Sequence, residues 1–185
     1  MNEKQNTGVY SNDVIELVTV ATEYCVRVER AVDAKQRDFV SAMLKILPLL
    51  YIKAMMLTDW SREEDSEVEQ FVTEDDYNFV LNGVATVMSS HDDYLDVFVE
   101  DMKYSDVPIR KTISEDLADI YQDVRNFVGV YQQGYDDAMA AALSHLMDQF
   151  PKYWGQRIPS VMRALHDVYF LQETESEEND NETYE

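Results

Sequence analysis

Cysteine is nearly absent: Cys25 is the single one in 185 residues, so the chain can close no disulfide on itself. It sits among helically spaced apolar residues, where a small buried thiol is expected rather than a reactive one, and this usage suits a reducing compartment. Five glycines and four prolines are too few for a chain built from turns, which sets aside an all-β fold. One cysteine and three scattered histidines leave no zinc site. No P-loop and no GxSxG elbow is present. Long apolar runs are also missing. The greasiest stretch, residues 39–57, is interrupted by Lys45, Pro48 and Lys53, well short of the roughly 20 apolar residues that cross a bilayer. Residues 1–14 contain no apolar core of a signal peptide. The expectation is a cytoplasmic protein without a membrane segment.

Positive charge is scarce as well. Fifteen Lys and Arg stand against 37 Asp and Glu, a formal net charge of −22. The excess is not spread evenly: residues 59–106 hold fifteen acids against Arg62 and Lys103 alone, and residues 173–185 add seven acids and no base. Such a field repels nucleic acid and anionic lipid and attracts cations or basic proteins.

What the chain has is helical periodicity. A first stripe runs through Val14, Leu17, Ala21, Tyr24 and Val28, with Ser11 or Asn12 as N-cap. A second helix, about 37–57, is apolar nearly all round, which marks the centre of a bundle, with a kink or break expected at Pro48. A third starts at Thr73, followed by acids in the first turn. The fourth opens on a Thr112–Glu115 capping box and ends at Gly134. A fifth spans about 136–153, and a sixth follows the corner "YWGQR", in which Trp154 packs and Gly155 turns. His145 and His166 are expected beside the core. The fold class is therefore all-α: a compact bundle of about six helices. Residues 1–11 form a disordered N-terminus, 12–172 a single domain, and 173–185 a disordered acidic tail.

The stretch "HDDYLDVF" at 91–98 spells two catalytic signatures at once, an HD pair and a DDxxD run. HD phosphohydrolases need an upstream histidine, and His91 is the first in the chain. In a DDxxD helix the outer aspartates, here Asp92 and Asp96, lie one turn apart and bind magnesium. The second acidic motif that such a site requires would be Asp116 and Asp119. On a helical wheel these fall with Glu115 and Asp123 away from the apolar stripe. The bland alternative is a solvated acidic loop in which Tyr94, Leu95, Phe98 and Tyr104 pack down as anchors.

The wording "KILPLLYIKA" (45–54), "VTEDDYNFV" (72–80), "HDDYLDVF", "YSDVPIRKTISEDLADIYQDVRNF" (104–127), "YWGQR" and "ALHDVY" resembles a family of acidic bacterial proteins described only as a domain of unknown function. The resemblance covers most of 12–170 and implies a compact cytoplasmic helical domain. It brings no catalytic residue.

Two functions compete. The first is a non-enzymatic interaction domain that binds a basic protein through Asp92, Asp93, Tyr94, Asp96, Phe98, Glu100, Asp101, Tyr104 and Asp106, with no cofactor. The second is a Mg²⁺- or Ca²⁺-dependent enzyme acting on a phosphorylated small molecule, with His91, Asp92, Asp93 and Asp96 at the metal. A third, structural reading is a homo-oligomer formed through a helix face.

Overall fold

The computed structural model describes residues 8–60, 68–96 and 109–182, the last eleven of these as backbone only. Six α-helices carry the fold: α1 (Asn12–Glu29), α2 (Gln36–Met55), α3 (Glu74–Met88), α4 (Ile113–Gln133), α5 (Asp136–Gln149) and α6 (Trp154–Glu182). Between α3 and α4 two short strands, β1 (Asp93–Asp96) and β2 (Ile109–Thr112), pair antiparallel. The bundle expectation holds, and no described helix is long and apolar enough to cross a membrane.

The helix starts follow local chemistry. Ser11 caps α1 by accepting from the Val14 N–H. Thr73 and Asp76 form a reciprocal capping box at α3. At α4 the Thr112 hydroxyl accepts from the Glu115 N–H at 3.1 Å, and the helix ends on Gly134 in the left-handed conformation (φ 77°). Gly155 does not make the corner as a turn residue. It lies in the first turn of α6, where a Cβ would come within 2.3 Å of the Phe150 carbonyl oxygen. Glycine is needed there for close approach. Trp154 is fully buried, its Nε1 donating to the Leu146 carbonyl at 2.9 Å.

The centre of the bundle is α4, not α2. It packs against α1, α3, α5 and α6, and buries Leu117, Ile120, Val124 and Phe127 together with the polar Ser114, Asp116 and Asn126. Those polar groups are tolerated because each has partners. Asn126 accepts from the backbone N–H groups of Phe71 and Val72 at 2.7 and 2.8 Å and donates to Gln70 at 2.7 Å, fixing the chain ahead of α3. Tyr24 on α1 donates to the Leu117 carbonyl at 2.7 Å. By contrast α2 lies between α1 and α6, runs on through Pro48, and leaves Leu49, Ile52, Met55 and Met56 exposed. An apolar helix surface signals burial somewhere, and periodicity does not say against what.

The start of the domain differs from the sequence reading. Val9 is buried and its carbonyl accepts from Tyr131 at 2.9 Å, while Tyr10 donates to Asp136 at 2.7 Å, so residues 8–11 pack onto the domain. At the other end the helical backbone of α6 continues to Glu182, into the acidic segment. His145 and His166 are exposed rather than beside the core.

Candidate functional site

The acidic run folds as a hairpin strand, not as a helix. Its side chains therefore alternate between two faces. Tyr94 and Asp96 face inward with Lys111, while Asp93 and Leu95 face outward with Arg110. One-turn convergence of Asp92 and Asp96 does not arise, because that spacing belongs to a helix. Leu95 is exposed, so it is no anchor; Tyr94 is half-buried and is one.

Each aspartate has its own partner. Asp92 sits just before β1 and accepts from the Ser114 N–H at 2.8 Å and the Ser114 hydroxyl at 2.6 Å, placing a carboxylate at the positive end of α4. Asp93 is held below the usual carboxylate range by the hydrogen bond from Arg110. Asp96 is buried, with the Lys111 ammonium at 2.8 Å. His91 is half-buried at the end of the short turn after α3. Among the described residues no group of three His, Cys, Asp or Glu is placed to hold a metal ion. Phe98, Glu100, Asp101, Tyr104 and Asp106 lie outside the described residues.

Behind the hairpin Asp116 is buried and Asp119 and Asp123 are partly buried, opposite to the helical-wheel expectation, while Glu115 stays exposed. The Tyr94 hydroxyl donates to Asp116, which is buried, and Arg157 of α6 approaches the same carboxylate at 3.7 Å. Arg157 Nε donates to Asp119 at 2.8 Å, and Tyr77 of α3 donates to the other Asp119 oxygen, also at 2.8 Å. The Arg157 guanidinium lies 3.7 Å from the centroid of the Tyr153 ring. Burial pushes the Asp116 carboxyl up, and Tyr94, Lys111 and Arg157 restrain it. Burial raises the Tyr94 and Tyr77 phenols too, reinforced by their carboxylate partners, so both remain hydrogen-bond donors. The wheel failed because it scored only apolar residues. A stripe of acids becomes interior once an arginine and two tyrosines from other elements cover it.

Tyr94, Lys111 and Arg157 of this network line a groove of about 1590 Å³. Its floor is the outer face of α6, from Gln156 through Ser160, Arg163 and Asp167 to Leu171. Tyr51 and Met55 of α2 stand on one side, and His91, Asp93, Tyr94, Leu95, Asp96 and Lys111 on the other. The hairpin acids of the sequence reading thus border the groove. The contributions of α2 and α6 were missed, although the spacing of Gln156, Ser160, Arg163 and Asp167 marks one helix face.

The family model for a domain of unknown function, DUF5063, matches residues 8–171. The chain belongs to this family. It is similar to protein BF1032 from Bacteroides fragilis, a structural-genomics target solved by crystallography, with 42% identity and a TM-score of 0.77 over 86% of this chain and 94% of that one. No curated protein matches. The family supplies a fold and no reaction. The match starts at Gly8, the first described residue, and ends at Leu171, which lines the groove.

Proposed function

We propose that this domain of the DUF5063 family is a non-enzymatic interaction module whose groove takes a basic, amphipathic segment of a partner protein. The supporting observation is the groove itself: a helix face about 22 Å long by its rise from Gln156 to Leu171, with apolar side chains from Tyr51, Met55 and Leu171 and, on its borders, Asp93, Asp96 and Asp167 alongside Lys111, Arg157 and Arg163. Grooves of this length suit an extended or helical peptide. The concentration of negative charge in residues 59–106 selects a basic one. This reading extends the acidic surface expected around 91–106 to a groove bordered by the apolar side chains of Tyr51, Met55 and Leu171.

The test uses two synthetic peptides with the same apolar residues, one rich in Lys and Arg and one in Glu, and a photo-crosslinking side chain placed at Leu95 or, as control, at Phe79 on α3. Crosslinking of the basic peptide at Leu95 and not at Phe79, weakening about tenfold at high salt, supports the proposal. Equal labelling at both positions, or equal capture of the two peptides, overturns it.

A further inference from the structure

A second surface lies on α2, facing away from the core and distinct from the side where Tyr51 and Met55 border the groove. Leu49, Ile52 and Met56 are 48%, 53% and 51% exposed. Their spacing of three and four residues draws a single seam along the helix, as in a two-helix coiled coil. Around them, residues 39–57 contain no acid at all, in a chain with a net charge of −22. A contiguous apolar strip of this kind on a highly charged molecule marks a contact surface.

The ends of the seam identify the occupant. Lys45, exposed, lies one turn before Leu49. Asp59, also exposed, lies just beyond Met56, where the bonds from Leu57 N to the Ala54 carbonyl (2.9 Å) and from Trp60 N to the Leu57 carbonyl (2.9 Å) continue the coil past the end of α2. A positive and a negative charge thus flank the seam nearly symmetrically about Ile52. Antiparallel pairing of two such helices sets Ile52 against its own copy, Leu49 near the opposite Met56, and each Lys45 beside the opposite Asp59. Parallel pairing would place lysine on lysine and aspartate on aspartate. We infer that the chain forms a two-fold homodimer through antiparallel contact of α2 helices, with Lys45 and Asp59 paired across the axis. Such an isologous contact uses one patch twice and closes on itself.

The experiment is sedimentation equilibrium of the full chain over a concentration series, with circular dichroism to check that each variant keeps its fold. The expected results are a doubling of mass for the unaltered chain and a monomer for Ile52→Glu. Lys45→Glu and Asp59→Lys should each weaken association about tenfold, and the double charge swap should restore it. Ile52→Cys should form an intermolecular disulfide under mild oxidation, since only a two-fold axis near residue 52 brings those side chains together. A monomer at every concentration overturns the inference, and leaves the groove reading untouched because different residues carry it. Association unaffected by Ile52→Glu, or a double swap that fails to restore it, also overturns it.

Discussion

Arg157 of α6 donates from Nε to Asp119 of α4 at 2.8 Å, and this contact joins the floor of the groove to the central helix. Both side chains are mostly shielded from water, and burial works against the charged guanidinium while Asp119, Tyr153 and Asp116 together outweigh it. Removing the cation would leave Asp119 and Asp116 buried without their shared partner. Arg157→Gln is therefore expected to cost about 2–3 kcal/mol in urea unfolding, below the range for a fully buried pair because some water reaches this one. The loss should shrink in an Asp119→Asn background, since the stranded charge is then gone.

Asp123, two turns after Asp116, carries an oxygen that is buried without a hydrogen-bond partner among the described residues. Burial, with Asp119 nearby, raises its pKa from 3.8 to about 6, against the opposing influence of His145 and Arg157. The folded state thus holds this proton more tightly than the unfolded chain does. Its contribution to stability is full below pH 3.8 and is lost as pH rises to about 6. Asp123→Asn should remove this slope and gain about 1–2 kcal/mol at neutral pH, allowing for partial solvent access. Urea melts at acidic and neutral pH, with and without the substitution, measure both effects.

Ser89 ends α3 with φ 52° and ψ −124°, a conformation essentially confined to glycine. It lets the chain reverse from α3 toward Asp92 and the hairpin. Ser89→Gly should relieve the strain and raise stability by about 1 kcal/mol, while Ser89→Val should lower it by more. Thermal unfolding of the two variants gives the sign directly.

The thiol of Cys25 is buried against α4, and burial, with Glu29 close by, drives its pKa far above the ordinary thiol value. Native protein should react with a thiol-specific disulfide reagent only as fast as it unfolds, and promptly in denaturant. Rapid labelling of the folded chain would contradict the burial of α1 against its neighbours.

The helices were legible in the sequence because capping and periodicity act over a few residues. Ser11, Thr73, Thr112 and Gly134 stop or start helices through bonds to backbone within a turn, and each does so in the fold. The strand at Asp93–Asp96 was not legible. Four residues with two exposed carry little alternation, and the pairing that makes them a strand comes from Ile109–Thr112, across the intervening chain.

The sequence by itself determined an all-helical, strongly acidic domain and the places where its helices begin and end. Only the tertiary structure decided which faces are inside. Asp116 looked like surface and is core, because Tyr94 and Arg157 from other elements satisfy it. Ile52 looked like core and is surface, because among the described residues it is left 53% exposed. Both reversals have one cause. Periodicity records the chemistry of one helix, whereas burial depends on what distant segments bring to it.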